Sequence, residues 1–253
     1  MRKILFITAL VLGMILTTAL PTFAEENNSF QTFTLEATED SIKTFDEVSM
    51  IVHNDKSYTV TVENEIPNVE SLAENYQIEV NPDTKQYQVV EYNNDNLSIS
   101  SKDESEVIVS PNARNTRYIR VQATTDDPIG ANLAWTINRL VWDYDQTSAY
   151  KNSRSGSNCN AANPSSLGTH WYISSCTFSS YSIIDGGRTV TSKLTGSYYN
   201  YDFMDNNKRT DVTHNVYLEG YKDGSSYYSA TWSKSGEGSG LLDLDVTVNR
   251  GTP

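Results

Sequence analysis

Tyr217, Tyr221 and Tyr227 lie close together around an Asp223-Gly224 turn signal. A phenol ring has a flat apolar face and a polar hydroxyl at its tip. Adjoining tyrosines can therefore stack on the apolar C–H face of a pyranose while side-chain partners meet its hydroxyls. Tyr198, Tyr199 and Tyr201 come just before and would extend such a surface. The plainer explanation of the same residues is cross-strand aromatic pairing, or packing beneath a loop or against another part of the chain.

Catalysis requires convergent side chains of the right types. The histidines are His53, His170 and His214. No zinc-protease helix motif, Gly-x-Ser-x-Gly elbow or Gly-rich phosphate loop is present, and the run GEGSG at 236–240 reads as a loop. Asp211 and His214, with Asp205, are a weak metal set, because residues three apart on a strand point to opposite faces. The segment DNNKRTD at 205–211 spaces oxygens like a calcium loop but lacks the central Gly and the closing Glu. Asp143 and Asp145 are paired carboxylates of the kind a glycosidase uses, yet solvation at a strand end explains them better. The reading assigns no catalytic residue, no metal ligand and no cofactor, and the protein reads as non-enzymatic.

Cys159 and Cys176 are the only cysteines. In an oxidising compartment an even pair is most simply a disulfide. It would close a loop of about 17 residues and add about 3 kcal/mol in the chain-entropy model. It would also pin the non-periodic stretch 150–168 to the strand containing Trp171.

That compartment is inferred from the N-terminus. Met1, Arg2 and Lys3 precede an apolar run from Ile4 to Leu20, and small residues at Thr22 and Ala24 fit signal peptidase. Residues 1–24 therefore read as a cleaved bacterial Sec signal peptide, and the remainder as a secreted, extracellular protein with no membrane span after processing. An uncleaved anchor is the competing explanation, since the run approaches the roughly 20 residues that cross a bilayer.

Charge divides the remaining chain. Residues 25–112 hold nineteen acidic side chains against four lysines, whereas residues 113–253 hold thirteen of each sign. The expected organisation is an acidic module or pro-region at 25–112, a linker near 100–115, and a Tyr/Trp-rich domain at 113–253. In the first part, alternation at 58–62, 76–80 and 87–92 predicts strands, the last two joined as a hairpin through Asn81 to Thr84. Residues 68–75 predict a short helix after an Asn68 cap.

All four Trp and twelve of the sixteen Tyr follow Ala113. Strands are predicted at 118–124, 133–144, 169–178, 189–203, 212–221, 227–233 and 242–249. The fold class is thus all-β: a C-terminal antiparallel β-sandwich preceded by a small acidic β or α+β module. A three-residue loop at 223–225 with Gly left-handed would set Leu218 opposite Ala230, Val216 opposite Trp232 and Tyr221 opposite Tyr227. The three tyrosines then share the face opposite Val216 and Trp232.

A net charge of −13 excludes nucleic acid as the natural partner. Arg114, Arg117 and Arg120 are expected to face the acidic part. Two functional classes remain. One is a non-enzymatic extracellular protein binding a carbohydrate or cell-envelope polymer through Tyr217, Tyr221 and Tyr227. The other is a secreted toxin or antimicrobial-type β protein masked by an acidic pro-region until the linker is cut.

Overall fold

Alternating apolar and polar residues, rich in β-branched and aromatic types, favour extended chain with one buried face. The computed structural model describes residues 31–34, 42–45, 48–52, 58–68, 71–81, 86–92, 114–162, 170–203 and 208–253. Residues 1–24, expected to be a signal peptide, most of the expected linker and part of 205–211 lie outside the described residues.

Among the described residues, six strands come from the first part of the chain: β1 (Gln31–Thr34), β2 (Ile42–Phe45), β3 (Val48–Val52), β4 (Tyr58–Ile66), β5 (Leu72–Asn81) and β6 (Gln86–Tyr92). Nine follow: β7 (Asn115–Asp126), β8 (Asn132–Tyr144), β9 (Ala149–Lys151), β10 (Gly156–Ala161), β11 (Tyr172–Ile184), β12 (Thr189–Asn200), β13 (Thr210–Tyr221), β14 (Ser226–Gly236) and β15 (Asp243–Gly251). They form two antiparallel sheets. The first has the order β1-β6-β5-β15-β7-β8-β10, with β9 also on β8, and the second has the order β11-β12-β13-β14-β4-β3-β2. The chain is an all-β sandwich.

Both sheets combine the acidic and the neutral parts of the chain. β4 pairs with β14 from Ile66 opposite Ser226 to Tyr58 opposite Lys234, and β5 pairs with β15 around Tyr76 opposite Val246. Val60, Val62 and Ile66 of β4 and Tyr76 and Ile78 of β5 are buried in the same core as Trp142, Trp232, Leu244 and Val246. Buried Arg250 on β15 adds a clamp, donating to the carbonyls of Pro67 and Gly224.

The helix expected at 68–75 is corrected, because Leu72 onward is strand β5. Its apolar positions alternate, and β15 and β6 flank it, so pairing overrides helix propensity. The β5–β6 hairpin forms as expected, with Asn81 opposite Gln86. β9 and β10 arise within the stretch read as non-periodic, and β11 runs six residues beyond its expected end. The disulfide Cys159–Cys176 is present, with Cα atoms 6.0 Å apart. It joins β10 and β11, which end their respective sheets.

The β13–β14 register also differs from expectation. Leu218 lies opposite Tyr228, Val216 opposite Ala230 and Glu219 opposite Tyr227. Tyr221 N–H donates to the Ser225 carbonyl and Gly224 N–H to the Tyr221 carbonyl, so the loop is 222–224, with Gly224 last at φ +85°. Glycine takes the final, left-handed position of the three-residue loop rather than its middle. The pairing moves by two residues, an even number, so every side chain keeps its expected face.

Candidate functional site

The second sheet packs one face on the core and leaves the other outside. Along β13, Val212, His214, Val216 and Leu218 are buried, while Thr213, Asn215, Tyr217, Glu219 and Tyr221 alternate with them on the outer side. Antiparallel pairing brings Tyr227 opposite Glu219, and β4 then sets Glu65 beside Tyr227 and Glu63 beside Ser229. The sheet thus gathers Tyr217, Tyr221 and Tyr227 around three carboxylates.

The Tyr217 and Tyr227 rings meet edge to face at 6.4 Å. Tyr217 and Tyr221 donate their hydroxyls to the two oxygens of Glu219, at 2.5 and 2.6 Å, and Tyr227 donates to Glu63 Oε2 at 2.7 Å. Partial burial, followed by these carboxylate partners, holds the Tyr217 and Tyr221 hydroxyls far above the usual phenol range. The same causes push Tyr227 up to about 12. All three are fixed hydroxyl donors at neutral pH. Beneath them, Trp142 Nε1 donates to the Tyr221 carbonyl at 3.0 Å. A Cβ at Gly220 would stand 2.3 Å from the Trp142 ring, so glycine lets that ring lie directly against β13.

Farther along the strands the outer face becomes a band of short polar side chains. Thr177, Thr195, Asn215, Thr231, Thr61 and Ser49 form one row across six strands. Ser175, Ser197, Thr213, Ser233 and Thr59 form the next. Thr195 donates to Asn215 Oδ1 at 2.8 Å, and the Thr61 and Thr231 hydroxyls lie 3.2 Å apart.

A second aromatic cluster closes the far end. Tyr172 stacks on Tyr199 at 5.3 Å, and Tyr201 meets Tyr199 edge to face at 5.4 Å. The Arg209 guanidinium lies 4.7 Å from the Tyr199 ring centroid and is held by Asp211 at 2.6–2.8 Å. Tyr172 and Tyr201 are 44% and 47% exposed. The expectation that Tyr198, Tyr199 and Tyr201 share one surface is corrected at Tyr198. The strand alternation turns Tyr198 into the core, where it bonds Thr136 and the Trp135 carbonyl. Tyr172 carries no such signal in the sequence, because only the β11–β12 pairing brings it to Tyr199.

No protein-family model matches the chain, and no curated protein matches it. Function is therefore read from side-chain chemistry.

The remaining sequence candidates have structural roles. Asp143 accepts from Thr116 and Asn152, whereas Asp145 accepts from Thr147, Ser148 and Tyr150 in a local turn. His214 is buried and Asp211 faces out, as the strand period requires. His170 pairs with Asp202. Of the three arginines expected to face the acidic part, Arg117 reaches it at Asn68, whereas Arg114 and Arg120 have partners in the later part of the chain. Arg114 lies on the Tyr150 ring, Arg117 donates to Asn68 and Thr252, and Arg120 donates to Gln122. Among the described residues, no group of three His, Cys, Asp or Glu side chains is placed to hold a metal ion.

A carboxyl pair lies away from the tyrosine face. Asp126 is 4% exposed, and burial, then the bond to Asp245 and the charges of Asp245, Asp243 and Asp127, push it up to about 8. Burial and Glu79 raise Asp243 to about 6, while burial lowers neighbouring Lys234 to about 7. Asp126 therefore carries the proton and donates it to Asp245. Its folded pKa lies above the unfolded value, so its contribution is full below about pH 4 and is lost as pH rises through about 8. Asp126→Asn keeps a donor to Asp245 without the buried charge. The expected result is a Tm gain over wild type that is larger at pH 8 than at pH 5, at about 2–4 °C per kcal/mol. Thermal melts of both proteins at the two pH values check this, and equal differences would refute it.

Proposed function

We propose that the protein is a secreted, non-enzymatic extracellular protein that binds a carbohydrate or cell-envelope polymer through the outer face of its second sheet. The observation that supports this most directly is the gathering of Tyr217, Tyr221 and Tyr227 around Glu219 and Glu63. Ring faces there can stack on pyranose C–H surfaces, and carboxylate oxygens accept the sugar's hydroxyl protons. The alternative, a toxin released from an acidic pro-region, requires the loss of β4 and β5, which are interior strands of the two sheets.

The test is retention of residues 25–253 on insoluble cellulose, chitin and peptidoglycan sacculi, compared with Tyr217→Ala/Tyr221→Ala/Tyr227→Ala. Wild type is expected to be retained on at least one polymer, and the triple variant at least 10-fold more weakly, with an unchanged circular dichroism spectrum. Absence of wild-type retention, or equal retention of a folded variant, would remove the proposal.

A further inference from the structure

Two aromatic clusters occupy the same face of one sheet. Tyr199 lies opposite Asp211, and Tyr217 stands six residues farther along β13. At the rise of an extended strand this separates the clusters by roughly 20 Å, the reach of about four pyranose rings. Between them lie the two rows of hydroxyl and amide side chains, with Thr195, Ser197, Thr213 and Asn215 at the centre. Short side chains keep that band level among the described residues. The band also offers hydroxyl and amide groups to a polyhydroxylated chain.

Charge narrows the ligand further. Glu63, Glu65 and Glu219 surround the first cluster, and at the second the Arg209 charge is already engaged by Asp211. Beside the first cluster, Lys193 lies opposite Tyr217. A polymer with an anion on every ring would be repelled by this surface and by the net charge of the chain.

Resting on the carbohydrate reading above, we infer that Tyr172, Tyr199 and Tyr201 form a second sugar subsite, and that the ligand is a linear, neutral polysaccharide lying along β12 and β13 from one tyrosine cluster to the other. Each cluster holds one end of a run of rings. Occupying both makes the second contact intramolecular, so affinity rises steeply with chain length once the ligand spans the gap.

Titration calorimetry with the dimers and hexamers of β-1,4-linked glucose and of β-1,4-linked N-acetylglucosamine tests this, with hexagalacturonate as the anionic probe of equal length. In at least one neutral series the hexamer is expected to bind 10-fold or more tightly than the dimer, and hexagalacturonate at least 10-fold more weakly than that hexamer. Tyr199→Ala/Tyr201→Ala is expected to reduce hexamer affinity to the dimer's level, whereas Tyr199→Phe/Tyr201→Phe, which keeps the rings, retains most of it. Failure of the inference alone is recognisable. Dimer and hexamer would bind alike, or the Tyr199/Tyr201 Ala variant would match wild type while the Tyr217/Tyr221/Tyr227 variant loses binding. Retention on peptidoglycan without binding of either hexamer, or tight binding of hexagalacturonate, would likewise overturn the neutral linear ligand and spare the broader function. Absence of binding to every oligomer and every insoluble polymer would overturn both.

Discussion

Residues 113–253, expressed without the preceding chain, are expected to give no cooperatively folded protein. Removing the first part would strip β4 from β14 and β5 from β15, leaving two long interior strands with unpaired edges. It would also uncover the core where Val60, Val62, Ile66, Tyr76 and Ile78 now pack. Each such side chain contributes about 1.5–3 kcal/mol when fully buried. Five of them together approach or exceed the ~5–15 kcal/mol by which a domain is stable. The Arg250 guanidinium would lose the Pro67 carbonyl as well. Far-UV circular dichroism and urea titration followed by tryptophan fluorescence are the measurements. A fragment with native strand content and a sigmoidal transition would show that the neutral part stands alone, and would return weight to the masked-toxin reading.

Acid is expected to destabilise the sandwich through one buried imidazole. His214 is fully buried between the sheets, and its partners fix its tautomer. The Trp232 indole can only donate, so Thr125 Oγ1 accepts it at 3.0 Å, and the same oxygen lies 2.7 Å from His214 Nε2. On the other side, Tyr198 donates to the Trp135 carbonyl at 2.8 Å, and its oxygen accepts the Thr136 hydroxyl at 2.7 Å. Thr136 therefore accepts from His214 Nδ1–H at 3.2 Å. The ring is neutral with its proton on Nδ1, so Nε2 accepts the Thr125 hydroxyl, and a second proton would reverse that bond and place a charge in the core.

Burial lowers the His214 pKa from 6.5 to about 3. The folded value lies below the unfolded one, so this contribution is present above about pH 6.5 and is lost as pH falls toward about 3. The full loss is on the order of 5 kcal/mol, with about 2 kcal/mol gone by pH 5. Asp126, Asp243 and Asp245, all raised by burial, act in the opposite sense, so urea titrations between pH 7 and 4 are best made in Asp126→Asn/Asp243→Asn/Asp245→Asn. The expected result is a falling unfolding free energy, with NMR reporting a neutral His214 throughout the folded range. A His214 signal titrating near pH 6.5 in the folded protein would refute the assignment.

Much of the strand pattern is legible in the sequence. Leu244, Val246 and Val248 alternate with Asp245, Thr247 and Asn249, and the structure buries the first set. Asp223-Gly224 marks a hairpin, although the last-position glycine and the resulting register depend on how Tyr221 and Ser225 close the loop. The charge boundary near Ala113 is real in the sequence but does not coincide with a boundary between sheets. Charge records what solvent-facing positions carry, whereas sheet membership is settled by buried positions such as Val62 and Ile78. Gly220 and Gly196 could not be interpreted from the chain alone. The groups that exclude a Cβ there include the Trp142 ring for Gly220 and the Thr136 hydroxyl for Gly196, both far away in sequence; the Tyr198 hydroxyl, from two residues along the same strand, also stands against Gly196.

The sequence by itself determined that the chain is all-β, that Cys159 and Cys176 can pair, and that Tyr217, Tyr221 and Tyr227 share a face, because a period of two follows from local backbone geometry alone. The tertiary structure decided which strands are neighbours. It set Glu63 on β4 beside the tyrosines of β13 and β14, turned Tyr198 inward, and joined Tyr172 to Tyr199 at the far end of the same face. Alternation encodes which way a side chain points, but the partner across the sheet is chosen by contacts between residues distant in sequence.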